Sequence, residues 1–495
     1  MGLACAQSAR LRRLKTNPLL NADLAPVPIE ARRWRVWNFA ALWISMGACI
    51  PTYMLASSLM EQGMNWWQAI LTIFLGNLIV LIPMLLNAHA GTKYGIPFPV
   101  YCRASFGTWG ANIPALLRAF VACGWFGIQS WIGGEAIHQI MAVFFPVLAK
   151  GVPIHLIGIS ISQLVCFLLF WSINMAVIYR GIDSIRILLS IKAPLLIALG
   201  LLLLGWAAES AGGWGPMLAQ PSAFAVGQPK AGQFWVYFFP LLTGMIGFWA
   251  TLSLNIPDFS RYARSQRDQI IGQSIGLAPT MALYSFIGVG VTSATVVLYG
   301  KALWDPVDVL TRFTNPVLLI VAMLALCLAT LATNIAANVV SPANDFSNLA
   351  PRHISFRTGG LITGIIGVLM MPWKLLADPS GYIFTWLIGY GALLGPIGGI
   401  LIADYFVCRH CHLNPEALYD VEGEYRFTKG FSLVAIAALL SGILPSLPGF
   451  LANVHAILPD SLPSFLLALY NYAWFIGFAV AFIVYLILRR LFPRT

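Results

Sequence analysis

The sequence predicts an all-α polytopic membrane protein with twelve transmembrane helices, and composition, hydropathy and the spacing of charges lead to this prediction. Of the 495 residues, 59% are hydrophobic and only 9% are charged, whereas a soluble domain has about 25% charged residues. The mean hydropathy is +0.79. Charged residues divide the chain into twelve apolar stretches, most of them longer than the ~20 residues that cross a bilayer as a helix. This composition argues against a soluble enzyme, a nucleic-acid-binding protein and a disordered chain.

The twelve stretches contain no Asp, Glu, Lys or Arg, except for Arg118 within the third. They cover 36–60, 62–92, 104–134, 151–179, 193–208, 231–257, 269–300, 313–344, 358–373, 379–403, 430–459 and 461–488. Because backbone groups in lipid must find hydrogen-bond partners within the chain, each stretch is predicted to be a helix. The fifth and ninth stretches are the shortest, and helix 5 must include Lys192 near its start.

The distribution of Lys and Arg predicts the orientation in the membrane. With the N-terminus inside, the cytoplasmic segments hold 22 of these residues and the outer loops hold five. Such an excess is typical of cytoplasmic loops and also supports an even number of helices. We therefore predict a multi-pass protein of the cell membrane, a bacterial inner membrane, with both termini in the cytoplasm.

Helices 1 and 6 are predicted to be broken near their middle. Helix 1 contains glycine and proline within Ser45–Pro51, and helix 6 contains glycines within Gly244–Trp249 before it ends at Asn255–Asp258. Gly47 and Gly247 lie five predicted helices apart, as expected for two inverted repeats whose first helices unwind at the midplane. Alternatively, Gly and Pro are simply frequent in membrane helices. The predicted organisation is a cytoplasmic N-terminal tail over 1–35, five-helix repeats over 36–210 and 231–405, a cytoplasmic loop over 406–429, and helices 11 and 12 over 430–495.

Unwound helices favour a secondary transporter over a channel or a receptor. Their freed carbonyls can coordinate a cation, and half-helix ends direct partial charges at a substrate. The sequence has no phosphate-cradling loop of the kind that ATP-driven transporters use. It also lacks a cluster of His and carboxylates within a span, which a membrane enzyme would need. We therefore predict a transporter that is not an enzyme and has no cofactor. A receptor or channel with the same pocket is the alternative from another class.

Helix 3 contains an aromatic side chain next to an amide. Trp125 and Gln129 are four residues apart, so they share one face of the helix. Stacking a flat base on an aromatic ring contributes roughly 1–3 kcal/mol, and an amide offers a donor and an acceptor to a lactam edge. Alternatively, the tryptophan belongs to an interfacial belt and the glutamine bonds a neighbouring helix.

Helix 8 contains three polar side chains in an apolar span. Asn334 and Asn338 are four residues apart and face the same way, and Thr333 is adjacent. One hypothesis is that the Thr333 hydroxyl ligates a cation while the Asn338 amide recognises a substrate. The alternative is that these groups form hydrogen bonds between helices.

Ionisable groups within the spans are few, which makes them candidates for function. Glu135 in helix 3 either carries a coupling proton or lies in the outer vestibule. Lys192 is expected to extend its amino group to the cytoplasmic face. Asp258, Asp345 and Asp404 lie at predicted inner helix ends, where we expect them to pair with arginines.

The eight cysteines have no regular spacing, so they are interpreted as small core residues rather than a disulfide framework. The segment Cys408–His412 contains two Cys and two His. Its spacing is too crowded for a four-ligand zinc site and no second pair exists, so no metal site is predicted.

Separate motifs spread over most of the chain occur in an order typical of one transporter family. They are Asn21–Pro26, Gly91–Val100, Trp125–Trp131, Trp249–Thr251, Asn255–Asp258, Ala329–Asn338, Leu369–Trp373 and Asp404–Phe406. Together they resemble the nucleobase–cation symport family, whose members carry purines, pyrimidines, hydantoins and allantoin. The resemblance runs from Asn21 to about Arg426 and implies the five-plus-five inverted repeat followed by two further helices.

The resemblance also implies a substrate site. Two tryptophans sandwich the substrate in this family, and Trp125 and Trp249 match them. Gln129 and Asn338 match the residues that hydrogen-bond the substrate. Phe248 matches a position that contributes a backbone carbonyl. That position is glycine in the hydantoin-carrying branch, so Phe248 departs from that branch.

A cation site is implied by the same resemblance. In sodium-coupled members, helix 1 and helix 8 carbonyls bind sodium, and Ser45, Ala48 and Ala329 match their positions. Two adjacent helix 8 hydroxyls complete the site; Thr333 matches one of them, but the other position is Ala332. Because a hard oxygen ligand is lost, we expect H⁺ rather than Na⁺ to be the coupling ion.

These observations predict a secondary active importer of a planar cyclic amide. A nucleobase such as uracil is the first choice, and allantoin or a hydantoin is the second, because these molecules share a lactam edge. Alternating access would move helices 1, 2, 6 and 7 against helices 3, 4, 8 and 9. The expected partners are the small substrate and the lipid bilayer, without nucleic acid; the oligomeric state is left open.

Overall fold

The computed structural model describes residues 17–180 and 182–492. Side chains are described over the same ranges except 182–193. The predictions for residues 1–16, for Lys192 and for 493–495 therefore lie outside the described residues.

Twelve helical spans follow one another within the described residues. They are helix 1 (Val36–Gly47 and Ile50–Glu61), helix 2 (Trp66–Tyr94), helix 3 (Asn112–Phe144), helix 4 (Ile161–Arg180), helix 5 (Ile182–Ser210), helix 6 (Phe234–Phe248 and Ala250–Asn255), helix 7 (Gln266–Tyr299), helix 8 (Pro316–Asn338 and Val340–Leu349), helix 9 (Phe356–Leu369), helix 10 (Gly381–Cys408), helix 11 (Leu433–Asn453) and helix 12 (Ala473–Leu491). Eight of these are individually long and apolar enough to cross a membrane, and helix 1 becomes a ninth when its halves are taken together. The shorter apolar helices are Pro194–Ser210 of helix 5, Phe234–Phe248 of helix 6 and Phe356–Leu369 of helix 9. Short helices were expected at 5 and 9, whereas the apolar stretch of helix 6 is long and its first helical part is short because it ends at Phe248.

Short elements connect the spans. They are helical turns or helices at Ile29–Ala31, Phe98–Phe106, Pro146–Lys150, Trp214–Leu218, Pro257–Ser260, Pro306–Leu310, Pro372–Leu375, Ala417–Tyr419, Glu424–Arg426, Pro459–Ser461 and Ser464–Tyr470, and a hairpin of strands β1 (Pro153–Ile154) and β2 (Ile159–Ser160). The two strands are antiparallel, with Pro153 opposite Ser160.

The spans differ in how deeply they are buried. In their most apolar windows, 94% of helix 10 and 78% of helix 3 lie inside the protein, against 28% of helix 4 and 22% of helix 12. Helices 3 and 10 therefore form the centre of the bundle. Helices 4 and 12 expose apolar side chains along most of their length, as expected for helices that face lipid.

Helix 1 is broken where the sequence predicts it. Its two halves meet at an angle of 59°. Cys49, between them, is extended with φ −150° and ψ 160°, and Pro51 stands in the first turn of the second half. Proline is favoured there because the first N–H groups of a helix have no partner within the helix. At the break itself the Cys49 N–H donates to the Gly47 carbonyl at 3.0 Å, and the Cys49 carbonyl accepts a hydrogen bond from the Thr52 N–H at 3.1 Å.

Helix 6 is also interrupted. Its first part ends at Phe248 and the next begins at Ala250, with Trp249 outside the helical range at φ −104° and ψ 7°. An added Cβ at Gly247 would lie 2.5 Å from the Leu387 carbonyl oxygen. Glycine therefore lets helix 6 pack directly against the backbone of helix 10. The breaks in helices 1 and 6 agree with the prediction, while the division into repeats at 36–210 and 231–405 stays a prediction.

A third interruption, in helix 8, was not predicted. The regular helix ends at Asn338, and Val339 departs from it with φ −118° and ψ −45°. Pro342 explains this geometry, because proline has no N–H for the carbonyl four residues earlier and its ring crowds that carbonyl. The carbonyl concerned belongs to Asn338.

The end of the bundle where helix 2 ends and helix 3 begins is called the basic end, because most of the Lys and Arg residues are in the segments that lie there. The segment before helix 1 crosses this end. The Leu19 carbonyl accepts a hydrogen bond from Arg103 Nη2 (2.9 Å), and the Leu24 carbonyl accepts one from the Tyr419 hydroxyl (2.7 Å). Arg261 Nη1 donates to the Asp23 carbonyl at 2.8 Å. The segment therefore ties together the connections that follow helices 2, 6 and 10.

The three carboxylates expected to pair with arginines have different partners. Asp345 pairs with Arg118 at 3.2 Å, and both side chains are fully buried. Asp404 pairs with Arg409 at 2.8 Å. Asp258 differs from the expectation, because it accepts hydrogen bonds from the Phe98 backbone N–H (2.9 Å) and the Ser341 hydroxyl (2.6 Å). A helix N-terminus and a hydroxyl therefore supply the compensation that an arginine was expected to supply.

Replacing Asp345 with Leu would leave the Arg118 guanidinium buried without its counter-charge. We predict that the free energy of unfolding falls by roughly 3–5 kcal/mol. The measurement is the midpoint of thermal unfolding of the purified protein in detergent. The double variant Arg118→Met/Asp345→Leu removes both charges and is expected to recover much of the loss.

The matched control is Glu422→Ala, which breaks the exposed ion pair of Glu422 with Arg426. Exposed pairs contribute about 0–1 kcal/mol, so its midpoint should be close to that of the wild type. A double variant no more stable than Asp345→Leu would contradict this account of the buried pair.

Candidate functional site

The breaks of helices 1, 6 and 8 meet helix 3 around one narrow cavity. The predicted residues on its wall are Trp125, Gln129, Phe248, Trp249, Thr333 and Asn338. Its volume is about 30 Å³, room for about two water molecules. All five residues predicted to bind substrate therefore lie together, although they come from three helices that are far apart in the sequence. A planar ring would need the side chains to separate before it could enter.

The side chain of Phe248 occupies the space between the two tryptophans. Its ring centroid lies 5.3 Å from that of Trp125 at 81° and 5.0 Å from that of Trp249 at 88°. Both contacts are edge-to-face, a favourable geometry for aromatic pairs. The resemblance assigned Phe248 only a backbone carbonyl. The side chain adds an aromatic wedge, and the two tryptophans do not face each other across an open slot.

Three aromatic residues of helix 10 surround Trp125 from the other side. The ring centroids of Tyr382, Trp386 and Tyr390 lie 6.2, 6.1 and 6.4 Å from that of Trp125. Sequence reasoning missed them, although their spacing of four residues places them on one helix face. The helix is π-helical over Gly381–Leu387, a local change often found at functional sites.

A polar atom in the cavity wall has no partner within the protein. Gln129 is 4% exposed, and among the described residues nothing donates a hydrogen bond to its Oε1. The indole Nε1 of Trp249 is also buried, and no acceptor in the described part of the chain reaches it. Leaving such groups unsatisfied costs about 1–3 kcal/mol each. A ligand with an N–H on its edge can satisfy the Gln129 oxygen.

Asn338 is held by a neighbour on its own helix. Its Nδ2 donates to Asn334 Oδ1 at 3.0 Å. Asn334 in turn donates to Ser130 Oγ (3.1 Å) and to Asn174 Oδ1 (3.2 Å). Asn334 therefore forms hydrogen bonds between helices, as the alternative for helix 8 expects. Asn338 lies in the cavity wall, and its role in substrate recognition stays a prediction. Asn174 of helix 4 was not found by sequence reasoning, because nothing in the sequence indicates its partner.

The predicted cation ligands lie on helices 1 and 8, which are in contact. Ser45 and Ala48 precede the break in helix 1, and Ala329, Ala332 and Thr333 are buried on helix 8. The Thr333 hydroxyl donates to the Ala329 carbonyl at 2.9 Å, so two of the predicted ligands bond each other. The methyl group of Ala332 offers no oxygen. The assignment of these residues as a cation site stays a prediction.

Glu135 lies on helix 3 between the cavity and the loop that joins helices 7 and 8. Its Oε1 is buried and has no hydrogen-bond partner among the side chains and backbone that the structure describes, and Asp305 and Asp308 of that loop are near enough to act on it electrostatically. Burial, together with the charge of Asp308, raises the pKa of Asp305 to about 7. This placement fits a vestibule away from the basic end, and the role of Glu135 in proton transfer stays open.

Among the described residues, no group of three or more His, Cys, Asp or Glu side chains is arranged to hold a metal. The backbone of the Cys408–His412 segment instead makes structural contacts. The Cys411 carbonyl accepts hydrogen bonds from Lys93 Nζ at 2.8 Å and from the Tyr94 hydroxyl at 2.9 Å. These bonds tie the loop after helix 10 to the end of helix 2.

The fold is similar to that of solved transporters. One is the structure of Mhp1, a nucleobase-cation-symport-1 family transporter, in a closed conformation with bromovinylhydantoin bound. It superposes with a TM-score of 0.76 at 24% identity, over 96% of this chain and 97% of that one. The inward-facing conformation of Mhp1 gives a TM-score of 0.77 over 97% of this chain and 95% of that one, also at 24% identity. These likenesses establish the twelve-helix fold with its broken helices.

Relatives in sequence extend over almost the whole chain. The purine-uracil permease NCS1 of Arabidopsis thaliana is 44% identical over 476 residues, 96% of this chain and 78% of the relative. The allantoin permease of Bacillus subtilis (strain 168) is 40% identical over 481 residues, 97% of this chain and 95% of the relative. A family model described as a permease for cytosine/purines, uracil, thiamine and allantoin matches residues 26–477. The chain therefore belongs to this family of multi-pass membrane permeases.

Proposed function

We propose that the protein imports a planar cyclic amide, with a nucleobase such as uracil as the first choice of substrate and allantoin or a hydantoin as the second. The observation that carries the proposal is the buried Gln129 Oε1, which lies in the wall of an aromatic cavity and has no hydrogen-bond partner within residues 17–180 and 194–492. An apolar pocket with a few converging polar groups is the usual form of a small-molecule site. Each choice is supported by a relative in sequence: uracil by the purine-uracil permease, and allantoin by the allantoin permease.

The proposed roles of the side chains follow from their chemistry. Trp125 and Trp249 stack on the two faces of the ring, while Gln129 and Asn338 hydrogen-bond its edge. Phe248 has to turn out of the space between the tryptophans, so its ring excludes water when no substrate is present. In this proposal the breaks of helices 1 and 6 supply backbone groups that a continuous helix would keep occupied.

Alternating access is the proposed mechanism, with helices 1, 2, 6 and 7 moving against helices 3, 4, 8 and 9. The proposed orientation places both termini and the basic end in the cytoplasm of a bacterial cell, because Lys and Arg are concentrated there. Under this orientation the N-terminal segment closes the cytoplasmic side. The same proposal includes the repeats at 36–210 and 231–405.

We further propose that transport is coupled to H⁺, or at least does not need Na⁺, because Ala332 removes one oxygen from the cation site. One positive charge moving through ~100 mV supplies ~2.3 kcal/mol, enough for roughly 50-fold accumulation. Sodium is the alternative that the solved relatives favour, since one of similar fold is described as a Na⁺-coupled sialic acid symporter.

The function is tested by uptake of radiolabelled uracil into cells that express the protein and lack their own carriers. We expect accumulation that unlabelled uracil abolishes and that cytosine and adenine reduce less. Allantoin and hydantoin are the further competitors. Entry of labelled allantoin without labelled uracil would move the assignment to the second choice. Binding without accumulation, or a ligand-dependent current without it, would favour a receptor or channel.

Coupling is tested in the same assay with sodium replaced by choline and with a protonophore. We expect uptake to persist without sodium and to collapse with the protonophore, because the site has lost the hydroxyl at position 332. The matched variant Ala332→Ser restores that hydroxyl, and uptake by this variant should rise when sodium is added. A sodium-dependent increase in substrate affinity of the wild type would contradict the proposal.

The site is tested with three single variants, Trp125→Ala, Gln129→Ala and Asn338→Ala. Each removes a ring or an edge contact of the substrate, so we expect uptake to fall to background while the amount of protein in the membrane is unchanged. The amount is measured by immunoblot of isolated membranes.

The controls carry the same residue types away from the cavity. Trp67→Ala removes a tryptophan of helix 2 that is 48% exposed, and Gln139→Ala removes a half-buried glutamine of helix 3. Both should transport at close to the wild-type rate. Wild-type uptake by all three site variants would show that the substrate binds elsewhere.

A further inference from the structure

We propose that Asn174 and Asn334 are positioning residues that fix the amide of Asn338, so that its Oδ1 faces the ligand and the site selects a ring edge with two N–H groups flanking a carbonyl. This inference rests on the proposed function, since it concerns the ligand of the same cavity. It specifies which partner donates the hydrogen bond: the substrate donates, and Asn338 accepts.

The orientation of Asn334 is set by groups that surround its Nδ2. Asn334 is fully buried. Its Nδ2 lies 3.2 Å from the Phe126 backbone carbonyl, 3.1 Å from Ser130 Oγ and 3.2 Å from Asn174 Oδ1. A backbone carbonyl can only accept a hydrogen bond. The amino group of Asn334 must therefore point toward helices 3 and 4, and its Oδ1 must point away from them.

The orientation of Asn174, the partner of Asn334 on helix 4, is also set by a backbone carbonyl. This fully buried residue of helix 4 donates from Nδ2 to the Phe170 carbonyl at 2.9 Å. Because that carbonyl only accepts, the Oδ1 of Asn174 is the atom left for Asn334. Two backbone carbonyls, of Phe126 and Phe170, thus determine the direction of both amides.

The orientation of Asn334 determines which atom of Asn338 faces the cavity. Asn334 Oδ1 accepts the hydrogen bond of Asn338 Nδ2 at 3.0 Å. A rotated Asn338 would place its own oxygen against that oxygen, and two buried acceptors would face each other without a proton. Asn338 Oδ1 is consequently the atom available to a ligand in the cavity.

Gln129 supplies the other hydrogen-bonding groups that would contact the ligand edge. Its Oε1 is a second acceptor, which no donor of the described residues reaches, and its Nε2 carries donors. Two acceptors with a donor match an N–H, C=O, N–H sequence, which is the ureido edge of uracil and of the hydantoin ring within allantoin. Cytosine lacks this edge because its unprotonated ring nitrogen N3 replaces one of the N–H groups and would face an acceptor, and adenine lacks it because it has no carbonyl.

The test is competition for tracer uptake, with whichever of uracil and allantoin the wild-type protein accumulates. For uracil the competitors are 1-methyluracil, 3-methyluracil and cytosine, each of which lacks one N–H of the edge, and thymine, which keeps both. For allantoin they are hydantoin and its 1-methyl and 3-methyl derivatives. We expect the molecules that keep the edge to compete at least about tenfold better, since a site built around a hydrogen bond rejects an analogue lacking it.

Accumulation of neither tracer would refute the proposed function and this inference with it. Accumulation that N-methylated and unmodified competitors inhibit equally would overturn the inference alone. The wild-type series does not depend on any variant and so keeps the inference falsifiable if variants fail to fold.

The positioning role is tested with Asn334→Leu and Asn174→Leu. Asn334→Leu frees the Asn338 amide to rotate, so the preference for uracil over cytosine, or for hydantoin over its N-methyl derivatives, should largely disappear. Asn174→Leu leaves the Phe126 carbonyl to hold Asn334, so it should weaken the preference by a smaller factor. A merely structural role would lower uptake of all ligands and leave their ratio unchanged. The control is Asn77→Leu, which removes a fully buried asparagine of helix 2 that donates only to its own helix, at the Ile73 carbonyl (2.7 Å). Its ratio should equal that of the wild type, and an unchanged ratio in Asn334→Leu would overturn the assignment.

Discussion

A peptide group in the hydrocarbon region of a membrane has no water to bond, and each unsatisfied N–H or C=O there costs several kcal/mol. A membrane helix is therefore interrupted only where protein or a cavity shields the freed groups. In this chain helices 1, 6 and 8 are all interrupted, near Cys49, Trp249 and Val339. The three interruptions border one cavity, and the candidate site depends on that shared position.

The other side of the cavity depends on close packing of the most buried helices. An added Cβ at Gly124 of helix 3 would lie 2.2 Å from the Trp386 ring, and one at Gly247 of helix 6 would lie 2.5 Å from the Leu387 carbonyl oxygen. These small residues bring helix 10 against both neighbours, and its aromatic side chains then enclose Trp125. Close backbone approach at glycines is a common basis for helix association in membranes. It links the packing of the bundle to the shape of the site.

The helix count and the breaks in helices 1 and 6 could be predicted, because charge-free runs and Gly–Pro clusters are local properties of the sequence. The break in helix 8 was missed because Pro342 lies near the end of its apolar run. The gathering of the substrate residues in one cavity was expected only from the family resemblance. The aromatic wedge of Phe248 and the partner of Asn174 could not be predicted, since both depend on how distant helices pack. The same reason explains why Asp258 bonds an N–H and a hydroxyl instead of an arginine.

The central claim is that the ligand binds where the broken helices meet, and Cys49 provides a direct test because it lies at the break and lines the cavity. A variant that keeps only Cys49 and the exposed Cys408 would be treated with a small water-soluble thiol reagent, with and without the transported ligand. The account predicts that the ligand slows alkylation of Cys49 several-fold and leaves Cys408 unaffected. Equal alkylation of Cys49 at saturating ligand, in a variant that still transports, would contradict it.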